Sequence, residues 1–349
     1  MVTLANAWAE RGWPVTLVTF DDGRTKPFYR LHPSIAWQPL GVARPSRSMV
    51  DAIRNNLRRL RRVRHAIAAS TPEVTISFLD QTNILVLTAT RGLKVPVVVA
   101  EHIDPAQQPL GRIWGALRRW RYPRAAAVVV LTKSARDYFP ANIQRRTRII
   151  PNPIVVDAPE RLPSRETEAN SGFILIAAGR LIEQKGFDLL LRAFGEIAPR
   201  HPVWSLTIYG EGPQRSELER LRDELGLRSS VCLLGPTRRL HQELAAADLF
   251  VLSSRYEGFP MVLCEAMAVG LPVVSFDCPS GPREIVRDGV DGLLVPRLDV
   301  PALAAALDRL MGNCDERSRL AACAPEVLDR FGRDRVLQEW DRLFAEVRR

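Results

Sequence analysis

Stretches rich in Val, Ile and Leu alternate with stretches of helical period from one end of the chain to the other. A short continuous apolar run is typical of a strand buried on both faces, as in parallel sheets flanked by helices. Two successive series of such runs predict an α/β fold with two doubly wound, Rossmann-like domains. The predicted strands are residues 13–20, 73–79, 95–100 and 125–132 in the first series, and 172–179, 204–210, 230–235, 247–254 and 271–277 in the second.

A proline-rich polar segment separates the two series. Residues 151–172 contain four prolines and little apolar periodicity, as is typical of a linker. We therefore predict a first domain at 1–156, a linker at 157–171, a second domain at 172–330 and a terminal amphipathic helix at 331–349. The first domain opens on a helical pattern, whereas a doubly wound domain normally opens on a strand, so we expect that a first strand is missing.

The composition is that of an ordinary soluble globular protein. The 349 residues are 46% hydrophobic and 25% charged. No apolar run reaches the roughly 18 residues that a membrane span needs, and we expect no secretory signal. The five cysteines are odd in number and lack CxxC spacing. This favours free thiols in a reducing cytoplasm.

Positive charge is concentrated in the first half of the chain. Residues 1–170 hold 26 Lys and Arg against 13 Asp and Glu, with clusters at 54–65 and 118–124. Such clusters attract nucleic acid, anionic lipid or diphosphates, or else form a solvated arginine-rich face. No nucleic-acid-binding motif is present, so we expect no nucleic-acid partner. Apolar residues recur at helical spacing over 53–67, which fits a helix buried on one side or a helix lying on a membrane.

Two glutamates eight residues apart frame the start of a predicted helix. Glu257 follows a predicted strand, and Glu265 lies about a turn and a half into the apolar helix predicted to begin at Pro260. A carboxylate among apolar neighbours is costly unless it is hydrogen-bonded, and the vicinal hydroxyls of a ribose supply two donors. Glu257 would accept from a second sugar, with phosphate bound by N–H groups of residues 258–262 between them. Alternatively, Glu265 bonds to backbone or to a neighbouring arginine.

Two cations follow the first strand of the second series. Arg180 and Lys185 come directly after the strand at 172–179 and before a helix predicted to begin near Phe187. An arginine fork and a lysine point charge at a strand's carboxyl end can bracket a diphosphate, although such pairs also occur in solvated loops. No D-x-D motif occurs in the chain. We therefore expect no metal and no other cofactor, with the two cations in the place of a metal.

Together these motifs resemble those of the family 4 retaining glycosyltransferases, which have the two-domain GT-B fold. The second half carries the more specific ones, and the first half looks like bacterial polysaccharide transferases that act on lipid-linked acceptors. The motifs are LANAWAERGWPVTLVTF (4–20), VVVAEHIDP (97–105), AAGRLIEQKGFDLLLRAF (177–194), IYGEGPQRSELERL (208–221), the segment 233–274 with both glutamates, and SGPREIVRDGVDGLLVP (280–296).

The resemblance implies transfer of a hexose, with retention, from a UDP-sugar donor to a saccharide or polyprenyl-diphosphate-linked acceptor. Arg180 and Lys185 would neutralise the leaving diphosphate. Glu265 would hold the ribose and Glu257 the hexose. The family's histidine near the reacting carbon corresponds to His102. The nucleobase would face the loop after Gly235, and the donor cradle would be completed by Gly258, Phe259, Pro260, Met261 and Val262.

The resemblance also implies where the protein works. The terminal helix at 331–349 would cross back to the first domain, pinned by Trp340 and Phe344. We expect a cytoplasmic protein at the inner face of the plasma membrane, with the basic first domain against anionic lipid. The family also has a first strand and a glycine-rich loop before the helix that here begins at Met1. Two alternatives stay open: a same-fold epimerase or phosphorylase, and an inactive truncated relative that only binds nucleotide sugar.

Overall fold

All nine predicted strands are present in the computed structural model, which describes residues 1–43, 48–107, 110–156 and 172–348. Three further strands, β2, β6 and β12, were not predicted. They have three or four residues each. The strands are β1 (Thr16–Thr19), β2 (Ala36–Pro39), β3 (Thr75–Phe78), β4 (Val97–Glu101), β5 (Ala127–Val130), β6 (Thr147–Ile149), β7 (Phe173–Ala178), β8 (Trp204–Tyr209), β9 (Val231–Gly235), β10 (Leu249–Leu252), β11 (Val273–Asp277) and β12 (Leu293–Pro296).

Helices connect most of these strands, although none lies between β1 and β2. They are α1 (Val2–Glu10), α2 (Met49–Ser70), α3 (Asp80–Ala89), α4 (Arg112–Arg121), α5 (Lys133–Asp137), α6 (Ala141–Gln144), α7 (Phe187–Ile197), α8 (Arg215–Glu224), α9 (Leu240–Ala245), α10 (Met261–Ala268), α11 (Pro282–Ile285), α12 (Val300–Gly312), α13 (Cys314–Cys323), α14 (Val327–Phe331) and α15 (Arg333–Val347). Short 3₁₀ turns lie at Tyr122–Arg124, Glu183–Lys185, Ala198–Arg200 and Ala324–Glu326. None of the helices in the described ranges is long and apolar enough to span a bilayer.

The chain divides into two units by its internal contacts. The first unit is Met1–Pro153 together with Val336–Arg349, and the second is Ile154–Arg335. The predicted linker at 157–171 lies outside the described residues, as does the last residue of the predicted terminal helix.

The second unit is built on one six-stranded parallel sheet. Its strand order is β12-β11-β10-β7-β8-β9. The order reverses between β7 and β10, the first strand of the unit and its fourth. This is the Rossmann order, in which ligands bind at the carboxyl ends of the strands beside the reversal. Helices α7 and α12 cover one face and share an apolar core with Leu175, Leu206 and Leu249 of the sheet.

The described strands of the first unit form two parallel sheets, a pair β1-β2 and a sheet of four, β3-β4-β5-β6. Every residue of β4 and β5 is buried. Because side chains alternate along a strand, Val97 and Val99 enter a core with α2 and α3, whereas Val98 and Ala100 enter a core with α1 and α15. Both faces of this sheet are therefore covered, and the predicted α/β fold class with doubly wound parallel sheets is confirmed.

The terminal helix α15 supplies aromatic side chains to the second of these cores. Trp340 is 2% exposed and meets Trp8 of α1 edge to face, with ring centroids 5.7 Å apart. Phe344 lies 5.4 Å from the Trp8 ring and 5.9 Å from that of Trp13. The two α15 residues thus pack on the start of the chain, within the first unit.

Candidate active site

The second unit brings two of the predicted residues into direct contact beside the strand-order reversal. Strands β7 and β10 pair in parallel, so the segments that follow them leave the same edge of the sheet. Lys185 lies in the turn after β7 and Glu257 in the loop after β10, 72 positions apart. Lys185 Nζ donates to Glu257 Oε1 at 2.6 Å. Lys185, predicted to bind the diphosphate, and Glu257, predicted to bind the hexose, therefore form an ion pair with each other.

This ion pair is largely buried and has a third member. The Lys185 and Glu257 side chains are 16% and 7% exposed. Ser254 Oγ, fully buried, donates to the same Glu257 oxygen at 2.6 Å. Among the described residues no hydrogen bond reaches Oε2 of Glu257. The carboxylate is thus held by one oxygen. Nothing in the sequence distinguished Ser254 from its neighbouring serine.

The helix after Glu257 begins one residue later than predicted. Pro260 is the N-cap of α10, not its first residue, because its ψ of 94° is extended. Intrahelical bonding starts where the N–H groups of Leu263 and Cys264 donate to the Pro260 carbonyl. The N–H groups of Met261 and Val262 have no acceptor within the helix. N–H groups without an acceptor at a helix start are what the sequence prediction of an anion site here requires, and that site stays a prediction.

The loop before α10 is held tightly on its other side. Phe259 is buried and packs edge to face on Phe331 at 5.3 Å. Gly281, with φ of +99°, faces the loop so closely that a Cβ there would lie 2.6 Å from Pro260 Cδ. The backbone of Gly258 and Phe259 therefore has little freedom. Gly281 belongs to a motif that was quoted for the family resemblance, but its contact with this loop was not predicted.

Glu265 is mostly buried, one turn into α10. Burial raises the pKa of its carboxyl, and the charge of the nearby His241 on α9 opposes this shift. Among the described residues no hydrogen bond reaches the carboxylate, so neither backbone nor an arginine satisfies it here. A mostly buried carboxylate without a donor fits the predicted role of accepting from ribose hydroxyls. Sequence reasoning missed His241.

The remaining donor-site candidates lie at carboxyl ends of the same sheet. Arg180 follows β7 and is exposed, and its guanidinium has no hydrogen-bond partner among the described residues. Gly235 ends β9 with φ of +77°, and its carbonyl accepts from the N–H of Gly210 at 2.9 Å. Arg180 is thus available to a ligand. It is not part of the Lys185–Glu257 pair.

His102 belongs to the first unit, directly after β4. Its ring lies 5.1 Å from that of Phe78, and Nε2 is buried without a hydrogen-bond partner among the described residues. Burial lowers the pKa of the imidazole to about 4. The side chain is therefore neutral at physiological pH and suited to exchanging a hydrogen bond with a substrate hydroxyl.

The preceding residue, Glu101, is a buried acid that sequence reasoning did not single out. It accepts a short hydrogen bond from the hydroxyl of Tyr122, which in turn accepts one from Asn83 Nδ2 at 3.2 Å. Burial raises the pKa of Glu101 to about 7, against the opposing effects of Tyr122 and Arg118. The end of β4 is therefore fixed by a buried polar cluster. No group of three metal-ligating side chains occurs within the described part of the chain.

Comparison with known proteins agrees with this geometry. Residues 160–327 match the family "Glycosyl transferases group 1", and residues 1–153 match "Glycosyl transferase 4-like domain". The chain belongs to the family 4 GT-B glycosyltransferases. The family assignment made from the sequence is thus confirmed. The glutamates Glu257 and Glu265, eight residues apart, correspond to the family's E-x7-E motif, and Glu257 of the ion pair with Lys185 is its first glutamate.

Curated relatives and solved structures match this glycosyltransferase over different shares of their length. One is the GalNAc-alpha-(1->4)-GalNAc-alpha-(1->3)-diNAcBac-PP-undecaprenol alpha-1,4-N-acetyl-D-galactosaminyltransferase of Campylobacter jejuni, 29% identical over 100% of this chain and 94% of the relative. The exopolysaccharide phosphotransferase SCO2592 of Streptomyces coelicolor is 40% identical over 65% of this chain, but only 24% of that protein is matched. The crystal structure of Anabaena Alr3699/HepE in complex with UDP-glucose superposes with a TM-score of 0.80 at 20% identity, over 99% of this chain and 94% of that one. This likeness confirms the GT-B fold.

Proposed function

We propose that this glycosyltransferase moves a hexose from a UDP-sugar to a saccharide or polyprenyl-diphosphate-linked acceptor, with retention of anomeric configuration. The observation that carries the proposal is the buried Lys185–Glu257 pair at the strand-order reversal of the second unit, followed by α10. The full-length Campylobacter relative is named for an undecaprenol-linked acceptor and an α-linked product, and the Anabaena neighbour holds UDP-glucose. Both names support the proposed acceptor and donor.

Transfer requires that the leaving UDP be stabilised more strongly in the transition state than in the bound donor. When the glycosidic bond breaks, the diphosphate gains negative charge. The guanidinium of Arg180, the ammonium of Lys185 and the first N–H groups of α10 would meet that charge. We propose that they do so without a metal, which the lack of a D-x-D motif in the sequence supports.

The glutamates would then orient the donor. Glu257, whose Oε1 is held by Lys185 and Ser254, has Oε2 to accept from hexose hydroxyls. Glu265 would accept from the ribose hydroxyls, and the loop after Gly235 would face the nucleobase. In the first unit, the neutral His102 would bond to a hydroxyl near the reacting carbon. Each of these roles places a hydrogen-bond acceptor or donor on a polar group of the sugar.

Thermal unfolding with UDP and a panel of UDP-sugars tests this function. We expect UDP to raise the melting temperature of the wild type and one UDP-sugar to raise it further, because ligands stabilise the state they bind. Lys185→Ala, Glu257→Ala and Glu265→Ala should each lose most of the shift in melting temperature that this UDP-sugar causes. Arg309→Ala, which breaks the remote ion pair with Glu316, serves as the matched control and should retain it.

Product analysis then separates a transferase from the other enzymes of this fold. Incubation of the stabilising UDP-sugar with a polyprenyl-diphosphate-linked saccharide should release UDP and lengthen the saccharide. Conversion of the sugar nucleotide to its epimer without lengthening would instead identify an epimerase, and shortening of the saccharide that requires inorganic phosphate would identify a phosphorylase. Ligand-induced stabilisation without any turnover would indicate the binding-only relative.

We further propose that the first unit contacts anionic membrane through the N-terminal half of α2. This helix combines both patterns that its sequence allowed. Its C-terminal half is buried through Val63 and Ile67, whereas Val50 and Ile53 nearer its start are 70% and 59% exposed. Exposed basic residues continue from here along the helix into its C-terminal half and, with the 48% exposed Leu57, line a shallow groove; they are Arg54, Arg58, Arg61, Arg62 and His65. An apolar stripe bordered by arginines is typical of helices that lie at a lipid surface.

Vesicle flotation tests this contact. Binding should require phosphatidylglycerol in phosphatidylcholine vesicles and should weaken as salt is raised. Arg58→Glu with Arg62→Glu should reduce binding at least tenfold, since each basic residue near such a surface contributes about 1 kcal/mol. The same charge change at exposed Arg192 and Arg228 of the second unit is the control. Equal binding to neutral vesicles would overturn the proposal.

A further inference from the structure

Two loops in contact with each other carry the Lys185–Glu257 pair. One is the segment 183–188, which follows β7, and the other is 253–257, which follows β10. We propose that Asp188 and Arg255 are positioning residues of the donor site, which lock these loops together and so hold Lys185 against Glu257. The inference rests on the proposed function, because it assigns these residues to the same donor site.

The Arg255 guanidinium is the centre of this connection. It forms a two-pronged ion pair with Asp188, Nη1 to Oδ1 at 2.8 Å and Nη2 to Oδ2 at 2.7 Å. Nη1 also donates to the Glu183 carbonyl at 2.8 Å. Burial disfavours ionisation of Asp188, but the hydrogen bonds and charge of Arg255 outweigh it and keep the pKa of that carboxyl below its ordinary value. A planar fork of this kind fixes direction as well as distance.

Backbone hydrogen bonds continue the connection toward both members of the pair. The Arg255 N–H donates to the Gln184 carbonyl at 2.7 Å, and Gln184 Nε2 donates to the Tyr256 carbonyl at 3.0 Å. Ser253 Oγ donates to the carbonyl of Lys185 itself at 3.0 Å. The residues adjoining Lys185 on one loop are therefore bonded to the residues adjoining Glu257 on the other.

Gly186 allows this close approach. Its φ is +62°, and a Cβ at this position would lie 2.1 Å from the Ser253 carbonyl oxygen. Only glycine fits both the left-handed backbone and the space between the loops. Asp188 lies two residues further on, in the first turn of α7, so the ion pair with Arg255 ties that helix start to the same place.

A rigid base matters because the lysine side chain is flexible. An ammonium on a four-carbon stem is a poor ligand for a diphosphate unless its direction is fixed. Glu257 takes one of its three N–H donors and leaves two for phosphate. If the two loops separated, both Lys185 and Glu257 would lose the partner that orients them. Arg255 and Asp188 thus act on the donor through Lys185 and Glu257 rather than by contact.

A double-mutant cycle on UDP binding tests the inference. Arg255→Met should raise the calorimetric Kd for UDP about tenfold or more in the presence of Lys185. In a Lys185→Met background the same change should have almost no further effect, since the positioned group is gone. Arg255→Lys, which retains the charge without the fork, should recover part of the affinity. Arg309→Met removes another two-pronged ion pair of this unit and should leave the Kd unchanged.

The outcomes distinguish a failure of the positioning role from a failure of the proposed UDP donor. Wild-type binding of UDP with an unchanged Kd in Arg255→Met would overturn the positioning role, as would full additivity with Lys185→Met. Absence of UDP binding in the wild type would overturn the UDP donor instead. In that case the same four proteins are compared by urea unfolding, where non-additive midpoints support the positioning of Lys185 by Arg255 and additive midpoints contradict it.

Discussion

Replacement of Lys185 by methionine is expected to destabilise the second unit by about 3–5 kcal/mol at pH 7, because it leaves a buried charge without its partner. The Glu257 side chain would remain only 7% exposed, with a single donor from Ser254. Urea unfolding measures the loss. Transfer activity should fall together with stability.

A second substitution, at Glu257, separates the effect of the unpaired charge from the other effects of removing the lysine. Glu257→Gln in the Lys185→Met background should recover most of the lost stability, since the neutral amide leaves no buried charge without a partner. It should recover no activity. A Lys185→Met variant as stable as the wild type would mean that the 2.6 Å contact does not persist in solution. The control is Arg309→Met: the Arg309 side chain is 58% exposed, and its partner Glu316 keeps a second cation, Arg319, at 3.7 Å, so the loss should be less than about 1 kcal/mol.

Truncation of Trp340 to alanine should destabilise the first unit by about 3–5 kcal/mol, the usual cost of removing a buried aromatic ring. The ring is 2% exposed and packs between Trp8 and Phe344. Its Nε1 has no hydrogen-bond partner among the described residues, so Trp340→Phe removes an unsatisfied N–H and should cost far less. Near-ultraviolet circular dichroism during urea unfolding follows the tryptophan-rich first unit.

The matched control for Trp340 is Trp120 in the same unit. Trp120 is the penultimate residue of α4 and is 50% exposed, and Arg121 and Arg124 are the cations over its ring within the described ranges. Trp120→Ala should cost about 1 kcal/mol or less, as one exposed cation–π contact does. Equal effects at the two positions would contradict the view that α15 completes the core of the first unit.

Much of the fold could be predicted from apolar runs. The predicted strands are present because a segment buried on both faces is mostly apolar, as β5 is at every position and β4 is up to its last residue, Glu101. Two of the three unpredicted strands, β2 and β6, lack that pattern. β2 contains a glutamine and ends in Pro39, and two of the three residues of β6 are exposed. Such strands exist because a neighbouring strand supplies their hydrogen bonds, which no local pattern records.

The candidate donor-site residues could be predicted from the sequence, but the contacts between them could not. Lys185 and Glu257 were assigned to different parts of a donor, and only the pairing of β7 with β10 brings them together. The same pairing makes Arg255, an ordinary loop arginine in the sequence, the partner of Asp188. His241 reaches Glu265 through the neighbouring positions of α9 and α10. These contacts join residues far apart in the chain, so their spacing carries no signal.

The sequence by itself determined the class of fold and the family, and it predicted the side chains that we propose to face the donor, because burial and ligand chemistry restrict residue types locally. The tertiary structure alone decided how those side chains combine. It turned two independent charges into one buried pair with a serine as third member, and it buried the apolar residues of α2 in its C-terminal half while leaving those near its start exposed. Strand order in a parallel sheet sets which loops become neighbours, and the energy of a charge depends on those neighbours.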